Sequence, residues 1–74
     1  QRGVTYMSKL INDLVGKQCI IRSEFIFSFA GKTELSCKII DADDEWIKIC
    51  YTEKKDKQVV KLMRIENIES IEEQ

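Results

Sequence analysis

After Gly16 the apolar residues of this chain change their spacing, and that change restricts the fold more than any other feature. Upstream of it, Met7, Leu10, Ile11, Leu14 and Val15 fall at intervals of 3, 1, 3 and 1, the stripe of an amphipathic helix. Thr5 or Ser8 can cap its start through a side-chain oxygen, and Gly16 stands where a left-handed C-terminal cap is wanted. Downstream the period is two. Cys19 and Ile21 share one side of a strand, and Phe25, Phe27 and Phe29 continue the same parity through EFIFSF, so strand is expected throughout. AGKT (30–33) supplies a turn with Gly31 at its tight position, after which Leu35, Cys37 and Ile39 alternate again to complete a hairpin.

The stretch DADDE, residues 41–45, then packs four carboxylates into five positions. Short acidic side chains favour turns because they hydrogen-bond nearby backbone amides, and this cluster separates a strand ending at Ile40 from one beginning at Trp46. A calcium loop counted from Asp41 would need glycine at its sixth position and glutamate at its twelfth; Trp46 and Thr52 stand there instead. Paired carboxylates for hydrolysis converge across a cleft from different elements, whereas these are neighbours on one turn. The cluster therefore reads as the turn that opens a strand, with Ile47, Ile49 and Tyr51 on one face of it.

That strand gives way at TEKKDK (52–57), a polar hairpin tip, and QVVKLM forms a fourth with Val60 and Leu62 on one face. Leu62, Ile65, Ile68 and Ile71 then recur every three residues, which fits neither a clean helix nor a clean strand. A one-turn break near RIEN followed by a short strand through IESIE gives that spacing, because a bend resets the parity; a C-terminal helix is the alternative. The expected fold is mainly β: an N-terminal α-helix followed by a strongly bent five-stranded antiparallel sheet, a small barrel of the Sm-like or SH3-like kind.

A chain of 74 residues makes one domain with a thin core, burying only about 60% of the surface its unfolded form exposes. Domains of this size gain support from disulfides, a structural metal or oligomerisation. Cys19, Cys37 and Cys50 are odd in number, form no CxxC and have no histidine to join them, so neither zinc nor a disulfide framework is expected. Lying among β-branched and aromatic residues, they read as small buried hydrophobes. Oligomerisation is the support left. No signal segment opens the chain and no apolar run approaches ~20 residues, so no membrane association is expected and the cytoplasm is the expected compartment. Met7 is a natural start position, which would make residues 1–6 an extension and residues 7–74 the domain.

Twelve Lys and Arg against thirteen Asp and Glu leave a net charge of −1, without the general basic field that nucleic-acid binding usually needs. The charges are nevertheless segregated: Lys54, Lys55, Lys57, Lys61 and Arg64 lie within eleven residues, and Glu66, Glu69, Glu72 and Glu73 follow at once. The basic run reads either as a binding patch or as a solvated hairpin tip.

From Met7 onward the chain resembles the Sm-like fold shared by Sm and LSm proteins and the bacterial RNA chaperone Hfq. LVGKQCII (14–21) is similar to the family's opening of the first strand, DEWIKI (44–49) to its third-strand start, and Arg64, Ile65, Ile68 and Ile71 to its fourth and fifth strands with their tight turn. The resemblance implies rings in which the fourth strand of one subunit pairs with the fifth of the next, closing exposed edges and enlarging a thin core. RNA binding carries over less fully. The Sm signature asparagine falls near Ile47, and the chaperone's Tyr-Lys-His triplet falls on Arg64, Ile65 and Glu66, so of the family's RNA-contacting groups only Arg64 matches in kind.

Three readings from different classes follow. The preferred one is a non-enzymatic, oligomeric Sm-like module acting as a scaffold or regulatory subunit, including a form that docks a partner protein on a sheet edge or a Phe-rich surface. The alternative is an RNA-binding variant using Arg64, Lys54, Lys55 and Lys57 for phosphate, and Trp46 or Tyr51 for base stacking. An enzyme is not expected: there is no histidine, no nucleophile with a nearby base, no glycine-rich phosphate loop and no metal set, and no cofactor is expected.

Overall fold

The structure, a computed structural model, describes residues 9–74. Residues 9–12 are helical (α1) and residues 13–16 are turns, so the helix expected over 7–15 ends three residues early, its last stretch tightened into turns in which the Leu14 N–H donates to the Ile11 carbonyl and the Val15 N–H to that of Asn12. Thr5, Met7 and Ser8 lie outside the described residues. Gly16 takes φ +88°, the left-handed conformation expected of it, and its N–H donates to the Ile39 carbonyl at 2.7 Å.

Five strands follow: β1 (Gln18–Arg22), β2 (Glu34–Ala42), β3 (Trp46–Glu53), β4 (Lys57–Arg64) and β5 (Ser70–Glu73). They form one antiparallel sheet in the order β4-β3-β2-β1-β5, and β4 and β5 do not pair, so the sheet is open. The break between β4 and β5 is a single 3-10 turn at Ile65–Asn67, as the three-residue spacing predicts. Alternation places Cys19, Ile21, Leu35, Cys37, Ile39, Ile47, Ile49 and Tyr51 in one core, joined by Met63 from β4, Ile11 from α1 and Ile26. Cys50 lies on the other face of β3 and is only half-buried, so not all three thiols are core residues.

β2 is shared between two ladders. Residues 34–38 pair with β1, and Lys38–Ala42 pairs with β3. Ile39 opposes Ile49 but Asp41 opposes Lys48, so Ile40 is an extra residue, a bulge that reverses the parity of β2. Because of that reversal the half-buried Ala42, not Asp41, faces the core beside Ile47. β2 also runs two residues past the expected end at Ile40, which puts Asp41 in the strand and leaves Asp43, Asp44 and Glu45 as the turn.

The aromatic run after β1 corrects the sequence reading. EFIFSF is not a strand: Glu24–Ile26 forms a 3-10 turn and Phe27–Ala30 a one-turn helix (α2). Buried Ser23 causes the departure. Its Oγ accepts from the Phe25 N–H at 3.1 Å and donates to the Asn67 carbonyl at 2.5 Å, which caps the turn and ties it to the segment before β5. Gly31, at φ +75°, ends α2 as a left-handed cap rather than serving as the tip of a two-stranded hairpin. With the backbone helical, the side chain aimed at the core is Ile26, fully buried, whereas Phe27 is 62% exposed.

Ile26→Ala should therefore destabilise the domain by about 2–5 kcal/mol in denaturant unfolding, the usual cost of emptying a buried aliphatic site. Phe27→Ser should change stability by no more than about 0.5 kcal/mol, as an exposed substitution does.

Candidate functional site

The six residues singled out for ligand contact do not form one surface. Trp46 and Arg64 are directly opposed at one end of the β3–β4 ladder, while Glu53 and Lys57 are opposed at the other. Seven residues of ladder separate the two ends, about 23 Å at 3.3 Å per residue. Lys54 and Lys55 sit, exposed, in the 3-10 turn beyond that far end, with Lys55 at φ +65° and Asp56 at φ +60°.

Tyr51 is corrected more sharply. It is 8% exposed, its ring lies 5.8 Å from that of Phe29, and burial together with the charge of Glu53 pushes its phenol pKa up. It shares the inward parity of Ile47 and Ile49 and is a core residue, not a free platform for a base.

At the near end, the Arg64 guanidinium stands 5.3 Å from the centre of the Trp46 ring, a cation–π contact on the outer face of the sheet. Arg64 Nε is shielded from solvent and lies 3.3 Å from Glu66 Oε2, oriented for charge attraction but not for a hydrogen bond. Trp46 and Leu62 then wall a shallow cleft of about 140 Å³ with Asp41, Asp43 and Lys48 at its rim. The DADDE turn is built as its composition predicts: Asp43 Oδ1 accepts from the backbone N–H groups of Glu45, at 2.9 Å, and Trp46, at 2.8 Å. Those two bonds hold the Asp43 carboxyl below the ordinary aspartate pKa. Among the described residues no group of three or more carboxylates, thiols or histidines is placed to hold a metal ion, and no helix is long and apolar enough to cross a membrane.

The features that do stand out are the sheet's two open edges. β4 carries Lys57, Lys61 and Arg64 and no acid, and its outer face exposes Val60 by 60% and Leu62 by 54%. Its inward face is Val59, Lys61 and Met63, so the apolar pair Val60 and Leu62 shares a face as expected, but that face is the solvent side. Lys61 turns its amine over the Phe29 ring at 4.4 Å. At the other edge Glu69, Glu72 and Glu73 precede and fill β5 without a single base, while Glu66 stays in the turn beside Arg64. Beside β5 an apolar cleft of about 280 Å³ runs between α1 and the last turn, walled by Leu10, Leu14, Ile65, Ile68 and Ile71. The segregated charge of the sequence is thus an edge-to-edge polarity of the sheet. The sequence reading had the charges but not their placement, because which strands become edges depends on topology.

The chain matches no protein-family model, no curated protein and no solved structure.

The Asp43 bonds generate a pH dependence of known sign. A carboxyl whose folded pKa is depressed stabilises the fold fully above its unfolded value, about 3.9, and loses that contribution as pH falls through the lower folded value. Asp43→Ala should lower the melting temperature at pH 7, and the gap between variant and parent should close progressively below about pH 4.

Proposed function

We infer that this chain is a non-enzymatic, self-assembling module of Sm-like architecture, a scaffold or regulatory subunit whose working form is an oligomer. The observation that carries the reading is the pair of open edges, β4 and β5, with opposite charge. An exposed strand edge presents unpaired backbone groups, and a small domain gains most by covering them with a copy of itself. These are also the two strands that pair between subunits in the Sm-like family that the sequence resembles.

A β4-to-β5 junction that continues the sheet sets Val59, Lys61 and Met63 on the side of Ile71 and Glu73, and Val60 and Leu62 on the side of Ser70 and Glu72. Apolar partners (Val59 and Met63 with Ile71) and an opposite-charge pair (Lys61 with Glu73) are then available on the core face, while on the outer face Arg64, of the same parity as Val60 and Leu62, is available to Glu72. Exposed ion pairs are each worth only about 0–1 kcal/mol, so charge selects the edge and its orientation. Apolar burial, about 1.5–3 kcal/mol for each fully covered aliphatic side chain, supplies more of the affinity. The contact joins two different surfaces, so it is head-to-tail and closes into a ring or extends as a filament.

The second reading, an RNA-binding member of the same fold, is favoured by one observation, the half-exposed Arg64 against Trp46. Its other contacts, Lys54, Lys55, Lys57 and Tyr51, lie at the far end of the hairpin or in the core.

Charge exchange tests the assembly reading. By light scattering the parent should form a species several times 8.7 kDa. Lys57→Glu with Lys61→Glu should fall toward the monomer mass, as should Glu69→Lys with Glu72→Lys in a separate chain. Mixing the two variants should restore the large species, since each then offers the other a complementary edge. A parent that stays monomeric, or a mixture that does not reassemble, contradicts the reading. Nucleic acid carried in the parent peak, read from its 260 to 280 nm absorbance ratio and lost on Arg64→Ala, would favour the RNA reading.

A further inference from the structure

Inside the sheet, apart from the two outer margins, another strand edge is free. The β2–β3 register begins at Lys38 opposite Cys50, yet β2 starts four residues earlier at Glu34 and β3 runs three residues further to Glu53. Beyond that point β2 follows β1 and β3 follows β4, so the two strands part. A cleft opens on each face of the parting, and both are lined by Tyr51 and Thr52.

The two faces differ in chemistry. On the core side the cleft is about 470 Å³, walled by Phe29, Ala30 and Leu35, with Lys32 and Lys54 at its mouth. On the outer side it is about 400 Å³ and polar, lined by Ser36, Lys38 and Gln58 among others. A guest in extended conformation presents alternate side chains to opposite faces. Apolar side chains would then meet Leu35 and Phe29, and the intervening ones would meet Lys38, with Lys32 and Lys54 at the ends.

We propose that this parting is a docking slot for an extended peptide in which apolar and carboxylate side chains alternate, its main chain adding to the free edge of β3 from Tyr51 to Glu53. The volume on the core side is in the range of built ligand sites. Three lysines around the slot against the single carboxylate of Glu53 favour an acidic guest. A nucleic-acid base is less well served, because the aromatic faces are already engaged. Phe29 is covered by the Lys61 amine at 4.4 Å and flanked by Phe25 and Tyr51 at 5.8 Å each, and Tyr51 is 8% exposed.

The proposal rests on the scaffold reading in one respect, that the guest is protein. The slot lies within a single chain, so it and the assembly edges succeed or fail independently.

The probe is the acetylated, amidated peptide EVEVEVE, titrated into isotope-labelled protein and followed by backbone amide shifts, with KVKVKVK and an oligouridylate of about eight nucleotides as comparisons. Saturable shifts confined to Leu35–Cys37 and Tyr51–Glu53 are expected with the acidic peptide alone. Lys32→Glu with Lys54→Glu, both on exposed side chains, should weaken binding by about tenfold while leaving the unliganded spectrum folded. Absent shifts, equal binding of KVKVKVK, or unchanged affinity in the double variant overturns the proposal. Shifts confined to β4 and β5 overturn it and assign the peptide to the assembly edges. Oligouridylate shifting the slot residues where the peptide does not would assign the slot to nucleic acid.

Discussion

Everything else in this fold depends on β2 serving two ladders that diverge. A single strand pairs with β1 over its first half and with β3 over its second, the two ladders meeting at Lys38, and the extra residue at Ile40 bends the chain within the second ladder. The bend brings α2 and the core faces of both ladders around one small core, fixes the order β4-β3-β2-β1-β5, and leaves β2 and β3 apart at their far ends. A flat sheet of five strands would leave one apolar face open to water. Here the same five strands enclose Ile21, Ile39, Ile47 and Ile49 completely. Cys37 is enclosed with them, and burial pushes its thiol up to about 12, with Cys19 and Cys50 adding to the rise. Such a thiol is packing material rather than a nucleophile at neutral pH.

Topology then converts a one-dimensional charge pattern into a directional surface. The basic run and Glu69, Glu72 and Glu73 are close in sequence, joined through the short turn at Ile65–Asn67, yet they end on opposite margins of the sheet because β5 crosses to pair with β1. One molecule cannot satisfy its own edges without closing the sheet. Under the proposed assembly the basic edge of one copy would meet the acidic edge of the next, and the screening of exposed charge within about 8 Å at physiological salt would make such an attraction a matter of contact rather than of long-range steering. Lys61 also protects β4 from indiscriminate pairing, since a strand with an inward lysine accepts few neighbours.

The alternating segments were legible in the sequence because their burial is set by parity alone: Leu35, Cys37 and Ile39, then Ile47, Ile49 and Tyr51, all face the core. The same parity placed Tyr51 inside, which its aromatic character obscured when it was read as a stacking platform. The break before β5 was legible from the three-residue spacing of its isoleucines. EFIFSF was not, because alternating phenylalanines mimic a strand while the group that decides the matter, Ser23 bound to Asn67, lies 44 residues from its partner. The bulge at Ile40 leaves no local mark, and the point at Lys38 where β2 passes from one ladder to the other leaves none either, so the grouping of Lys32, Lys38 and Lys54 around the parting cannot be foreseen.

Backbone amide exchange on the edge strands, followed as a function of protein concentration, reports pairing of β4 with β5 between copies. If β4 of one copy pairs with β5 of another, amides in Lys57–Arg64 and Ser70–Glu73 that face away from β3 and β1 should be protected at high concentration and lose that protection on dilution, while the Ile39 and Ile49 ladder stays protected throughout. Edge amides that exchange freely at every concentration, or stay protected at every concentration in a chain of monomer mass, would contradict it.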